Sequence, residues 1–260
     1  MTAAPAAPFL VAASLSGRAD ADWARAASDH VDCAVMGGIA LDPASRDAAR
    51  ELVARGRSEF LPDDPLAWLG RQLRATADAP VVPGINVRSA TIEPVCKAAA
   101  ACAERDAICE INAHCRQPEL RAVGCGETLL ADRDRLAAYV AAAADAGATT
   151  SVKVRAEVPG VDLTAVARAV AAAGADWLHV DAMDSEAVVA ELTRTAPAGL
   201  TVVANNGVRG HDTVAAYAAR GADAVSIGRP STDPQARSRV AEAVAAWRDG
   251  RLTGRLEASS

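Results

Sequence analysis

The chain has 260 residues, of which 51% are hydrophobic and 23% charged, with a formal net charge of −6. That apolar fraction with a mild charge excludes a disordered chain, and the length suffices for one large core. The acidic balance argues against a general basic surface for nucleic acid, and no apolar run reaches the roughly 18–20 residues needed to span a bilayer.

Taken in chain order, the sequence alternates short apolar runs with Ala-rich helical stretches. The Ala-rich start, residues 1–8, lacks a charged n-region and is not read as a leader. Phe9–Ala13, Cys33–Met36, Val81–Val87 and Ile108–Asn112 read as strands. So do Ser151–Arg155, Trp177–Asp181, Thr201–Ala204 and Ala224–Ile227. Several are apolar throughout, as expected of parallel strands covered on both faces. Helices are predicted over Ile92–Arg105, Asp132–Ala146, Leu163–Ala173 and Thr213–Arg220, with Asp132, Asp162 and Ser185 at N-cap positions. About 48 residues separate the starts of the second and third strands, room for two helices divided near Gly56–Pro65. About 43 separate the fourth and fifth, and this stretch holds a loop from His114 to Glu127.

Gly147, Gly174, Gly199 and Gly221 each precede a strand, at spacings of 27, 25 and 22 residues. A unit of helix, glycine and strand repeating at this interval is a βα repeat. Eight such units predict an α/β fold of the (β/α)8 TIM-barrel type in a single domain. The core barrel is expected over residues 8–231, with the last helix and a tail over 232–260. A doubly wound sheet competes, but Ser14–Arg18 does not supply its glycine-rich turn.

The six cysteines contain no C-x-x-C pair and suggest a reducing, cytoplasmic setting. Cys33, Cys96, Cys102 and Cys109 are expected to be buried packing residues, and Cys125 structural.

In a barrel of this type the chemistry lies at the C-terminal ends of the strands. The polar residues there are Asn86 and Arg88, then Asn112, His114 and Cys115, then Lys153 and Arg155, then His179 and Asp181. Asn205, Asn206 and Gly207 follow, then Gly228 and Arg229. Gly207 and Gly228 allow close backbone approach to an anion, and Arg229 adds a fork suited to phosphate oxygens. Lys153 alternates with Val152 and Val154, so it points inward. It needs an anionic partner, either a ligand or a core acid such as Glu110; a Schiff-base role is a third reading. Asn112 can both donate and accept at a heterocycle edge. Cys115 is a candidate proton donor or nucleophile, while His114 is a candidate acid or base or simply a surface residue.

The ordered set Asn112-Ala-His-Cys115, Gly124-Cys-Gly126-Glu-Thr-Leu-Leu130, Ser151-Val-Lys153-Val-Arg155, Leu178-His179, Asn206-Gly207 and Ile227-Gly228-Arg229 resembles the dihydrouridine synthase family, in a divergent, archaeal-type branch. Those enzymes are FMN-dependent TIM barrels related to dihydroorotate dehydrogenases. The resemblance implies an FMN-dependent oxidoreductase, with NAD(P)H as electron donor, acting on a C=C of a pyrimidine-type ring. Cys115 would be its acid. Asn86, Asn112, Lys153 and His179 would contact the flavin, and Asn206, Gly207, Gly228 and Arg229 its phosphate; no metal is implied. His114-Cys115-Arg116 stands where the family has Gly-Cys-Pro, and His179-Val-Asp181 where it has His-Gly-Arg. After Ser231 only 29 residues follow, so no C-terminal tRNA-binding helical domain is expected. A tRNA uracil or a free heterocycle is then the expected substrate. The alternative reading is a flavin-free barrel, a lyase or isomerase of a sugar phosphate, with Lys153 in the chemistry.

Overall fold

The structure is a computed structural model and describes residues 5–252. The readings of residues 1–4 and of the tail beyond residue 252 lie outside the described residues.

Eight parallel strands close into a barrel in sequence order. They are β1 (Phe9–Ala12), β2 (Cys33–Ala40), β3 (Val82–Arg88), β4 (Ile108–Asn112), β5 (Thr149–Arg155), β6 (Trp177–Asp181), β7 (Thr201–Asn205) and β8 (Ala224–Ile227). Closure comes from β1 pairing with β8, Phe9 opposite Ala224 and Ala12 opposite Ile227. The fold is the expected single-chain (β/α)8 barrel.

Eleven α-helices are described: α1 (Ala21–Ala27), α2 (Pro43–Ala54), α3 (Pro65–Ala75), α4 (Ile92–Ala103), α5 (Pro118–Ala122), α6 (Glu127–Ala131), α7 (Arg133–Asp145), α8 (Leu163–Ala172), α9 (Ala187–Thr195), α10 (His211–Ala219) and α11 (Pro234–Arg248). The long first gap does hold two helices, α2 and α3. The second holds the short α5, inside the stretch read as loop, and the short α6, which begins at its last residue. None of the described helices is long and apolar enough to cross a membrane.

Local chemistry explains the boundaries. Asp132 caps α7 by accepting from Arg135 N–H, and Asp162 caps α8 by accepting from Thr164 and Ala165 N–H. Ser185 does not cap α9, because its hydroxyl is turned to Glu157. A clasp recurs at the foot of the barrel. Asp32, Asp176 and Asp223 stand one residue before β2, β6 and β8. Their carboxylates accept from the Leu10, Thr150 and Val202 N–H groups at 2.7, 2.8 and 2.8 Å. Each aspartate thereby joins an even-numbered strand to the start of the strand before it.

Alternation along the strands sends one residue set outward, beneath the helices, and the other into the barrel. The inward set is layered. Phe9, Val11, Cys33, Val35, Ile108, Trp177, Val203 and Ala224 fill the N-terminal half. Asn86, Glu110, Ser151, His179 and Ser226 form a buried polar layer above them, and Arg88, Asn112, Lys153 and Arg155 lie at the mouth.

The six cysteines are free. Cys33, Cys102, Cys109 and Cys125 are buried, but Cys96 is exposed, which corrects its expected burial. On α4 the inward face is Val95, Ala98, Ala99 and Cys102, and Cys96 is turned with Lys97 toward solvent.

Candidate active site

The polar layer is one continuous hydrogen-bonded belt. Asn205 Nδ2 donates to Ser226 Oγ at 2.5 Å, and Ser226 Oγ meets His179 Nε2 at 2.7 Å. His179 Nδ1 meets Glu110 Oε2 at 2.6 Å. From the other side, Asn112 Nδ2 donates to Asn86 Oδ1 at 2.9 Å, and Asn86 Nδ2 donates to Glu110 Oε1 at 2.7 Å. Ser151 Oγ donates to Glu110 Oε2 at 3.2 Å.

The charges in this belt follow from its surroundings. Burial pushes the Glu110 carboxyl up, but His179, Lys153 and Asn86 outweigh it and bring it down to about 2. Burial and the nearby Lys153 charge lower the pKa of His179, against the opposing pull of Glu110. Glu110 is therefore an anion and His179 a neutral imidazole. The Nδ1 proton lies toward Glu110, and Nε2 accepts from Ser226. Every donor in the belt points toward Glu110.

Above the belt, Asn112 organises the loop after β4. Its Oδ1 accepts from the backbone N–H groups of His114 at 3.3 Å and Cys115 at 3.1 Å. The Cys115 carbonyl accepts from Glu127 N–H at 2.9 Å. Gly126 is required here: its φ is +59°, and a Cβ would stand 2.1 Å from the Cys115 carbonyl oxygen. Cys115 is 8% exposed and packs with Cys125, Leu120, Ala48 and Leu52. Burial pushes its thiol up, but the Arg88 guanidinium and the His114 imidazole overcome this and bring it down to about 7. Cys125 is pushed up to about 12 by burial and the nearby Asp42 carboxylate, which outweigh Arg88 and Arg135.

His114 Nε2 lies 3.0 Å from Asp181 Oδ2. Burial opposes the imidazolium, yet the Asp181 carboxylate raises the His114 pKa. Burial likewise works against the Asp181 carboxylate, and His114 lowers its pKa in return. The two side chains meet at the rim, each favouring the charged form of the other. Arg88 is clamped by Glu59 at 2.7 Å and by Ser16, and its Nε has no partner. Gly38 lets Arg88 and Asn86 approach β2, since a Cβ there would lie 2.5 Å from Asn86 Oδ1. Arg155 pairs with Glu127 at 3.2 Å, and its Nε is also buried without a partner.

Lys153 differs from both arginines. It is 4% exposed, and no hydrogen bond or ion pair to it is found among the described residues. Its Nζ is not among the sealed polar atoms, so the ammonium opens on the mouth. The salt bridge to Glu110 that the sequence allowed is not formed; Glu110 is engaged by Asn86, Ser151 and His179.

On the far rim, Gly207 has φ +66°, and Gly207 and Gly228 both face open space. Asn206 is exposed, its amide donating to the Met183 carbonyl at 2.6 Å. Arg229 begins a short 3₁₀ turn, Arg229–Thr232, and is exposed.

The structure thus brings Cys115, Asn112 and Lys153 to one side of the mouth, and Asn206, Gly207, Gly228 and Arg229 to the other. Asn86 and His179 lie below, sealed and fully hydrogen-bonded within the belt. Sequence reasoning passed over Glu59, Ser16 and Ser226. Ser226 was legible from its inward phase on β8, whereas Glu59 and Ser16 lie in loops that carry no such signal. Among the described residues no group of three or more His, Cys, Asp or Glu side chains is placed to hold a metal ion. A groove of about 880 Å³ lies at the opposite end of the barrel, against Asp32, Val82, Arg105, Ala241 and Arg248, away from all these groups.

No protein-family model matches the chain. An uncharacterised protein of Methanocaldococcus jannaschii is 29% identical over 133 residues, and the match spans about half of each protein, 50% of this chain and 52% of that one. Among solved structures, a presumed phosphonomutase from Burkholderia cenocepacia J2315 is 25% identical, with 94% of each chain covered and a TM-score of 0.57. A presumed lyase/mutase from the same organism is 19% identical, covering 95% of this chain and 86% of that one, with a TM-score of 0.57. The 3-hexulose-6-phosphate synthase of Salmonella typhimurium is 15% identical, covering 94% and 99%, with a TM-score of 0.56. The last two likenesses show the fold alone.

The likeness to a presumed phosphonomutase overturns the expected kinship with FMN-dependent dihydrouridine synthases. The oxidoreductase reading, with its pyrimidine C=C substrate, is corrected with it. The physical reason is that the motifs behind that resemblance are two to seven residues long and sit at strand ends. Barrels of unrelated chemistry place polar groups at those same positions.

Proposed function

We propose that the chain is a flavin-free TIM-barrel enzyme of the lyase or mutase–isomerase class, acting on a small phosphorylated substrate. The observation that carries this reading is the unpaired Lys153 ammonium, buried at a mouth whose far rim carries the open glycines Gly207 and Gly228. The likeness to a presumed phosphonomutase along 94% of both chains supports it.

The open backbone at Gly207 and Gly228, with Arg229 beside it, suits a phosphate or phosphonate group. Lys153 then faces the reacting end of a short substrate. Bond cleavage or migration next to a carbonyl leaves negative charge on an oxygen, and a preorganised ammonium in a water-poor site stabilises that charge. His114, held by Asp181, moves the proton at the rim. The belt beneath fixes Asn112 and, through it, the backbone of His114 and Cys115. Six free thiols support a reducing, cytoplasmic setting.

The test is phosphorus NMR of the purified protein with a panel of phosphorylated sugars and phosphonates. At least one should be converted by the wild type and left intact by Lys153→Ala. A protein that purifies yellow with bound flavin, or one that converts nothing on the panel, overturns the reading.

A further inference from the structure

Cys115 does not serve the proposed phosphate chemistry, yet its surroundings are those of a nucleophile. Its backbone is fixed at both ends, N–H to Asn112 and C=O to Glu127 N–H. Arg88 is 3% exposed, its Nε is free of partners, and its charge favours the thiolate of Cys115. Lys153 is the register partner of Asn112, the residue that holds the Cys115 loop, and its charge reaches His114 and Asp181. Through Asn112, the Cys115 loop and a buried ammonium without a direct ion pair therefore share one side of the mouth. An anion with an electrophilic carbon satisfies both groups at once.

We propose that Cys115 is a covalent-attachment site for carboxylate-bearing electrophiles, the carboxylate held by Lys153 and the reactive carbon presented to the sulfur. With an α,β-unsaturated carboxylate, the sulfur lone pair forms an S–C bond at the β-carbon. The electron pair of the C=C takes up the His114 proton at the α-carbon, so atoms and charge balance without an oxidant or reductant. With an α-halocarboxylate, the S–C bond forms as the carbon–halogen bond breaks, and halide leaves with the electron pair. The proposal uses the same Lys153 as the phosphate reading but needs no phosphorylated substrate.

The experiment is alkylation of the full chain with iodoacetate and with iodoacetamide, followed by peptide mass spectrometry. The exposed Cys96 is an internal control in every sample. Iodoacetate should modify Cys115 faster than iodoacetamide, by on the order of tenfold, the gain expected when fixed charge concentrates an anion in a cleft. Cys96 should show no such preference for the anion. The Cys115 rate should rise with pH around 7, where its thiolate forms, whereas an ordinary thiol ionises near 9. Lys153→Gln should remove the anion preference while Cys115 remains reactive toward iodoacetamide, with circular dichroism matching the wild type to show that the variant is folded. Labelling confined to Cys96, or equal rates for the two reagents at Cys115, overturns the proposal. Anion-selective labelling without turnover of any phosphate compound would sustain it while the phosphate reading fails.

Discussion

The two halves of the barrel interior are built from opposite chemistry on the same eight strands. At the foot, Phe9 and Trp177 stack with ring centroids 4.9 Å apart, and Val11, Val35 and Val203 close the space around them. Two residues further along, Ile108 gives way to Glu110 and Trp177 to His179, and above them Lys153 and Arg155 hold the mouth. The foot gains stability from burial alone. The mouth places ionised groups where they are costly, and only the belt's complete hydrogen bonding makes the lower part of it tolerable. The comparison teaches that stability and chemistry are separated along the barrel axis, with Glu110 at the boundary.

The sharpest way to break this division is to weaken the foot. Trp177→Ala should cost about 4 kcal/mol of unfolding free energy through the cavity it leaves, measured by denaturant unfolding. Cys115 alkylation in the folded fraction should be unchanged.

Next in size is the boundary. Glu110→Gln sets an amide N–H against donors that now meet a carboxylate, and should cost about 2 kcal/mol at neutral pH. The wild type carries an acid limb that this variant lacks. The Glu110 pKa falls from 4.5 to about 2 on folding, so its stabilisation is full above 4.5 and is lost as pH falls toward 2. His179 adds a second limb of the same sign. Its pKa is lowered from 6.5, so stability declines as pH falls below 6.5. Stability measured against pH in both proteins checks the two limbs, and superimposed curves would refute the ionised Glu110.

At the mouth the sign should reverse. Lys153→Met removes a buried charge without a partner and should raise stability by about 1 kcal/mol, while abolishing turnover and anion-selective labelling. A loss of stability would mean that the ammonium is satisfied after all. The smallest effect is expected on the far rim, where Arg229→Ala should change stability by less than about 0.5 kcal/mol. Its readout is weaker binding of inorganic phosphate by calorimetry.

Most of the architecture was legible because parallel strands buried on both faces leave short apolar runs, and Ile108–Asn112, Trp177–Asp181 and Ala224–Ile227 match the structure to the residue. The end residues of other strands were harder to read, since Asn205 and Arg88 are polar yet still pair in the sheet. Cys96 was misread because an apolar neighbourhood says nothing about helical phase. The rule that strand ends carry chemistry led to Cys115, Lys153 and Arg229 at the rim, but also to Asn86 and His179, which are sealed in the belt. Their assignment to a flavin enzyme failed because position in a barrel does not encode reaction type. The pairing of Arg88 with Glu59 joins residues 29 apart through loop geometry, and neither neighbourhood signals the other.

The one-way orientation of the belt has a last consequence. A wire that carries protons must be able to flip each link and hand its hydrogen onward. Here the sequence of links converges from both sides on a carboxylate that stays ionised at neutral pH, and the imidazole between them is already committed at both nitrogens. The layer therefore works as an electrical floor: hydrogen ions exchanged during a reaction must enter and leave through the open rim, never down the axis of the cylinder.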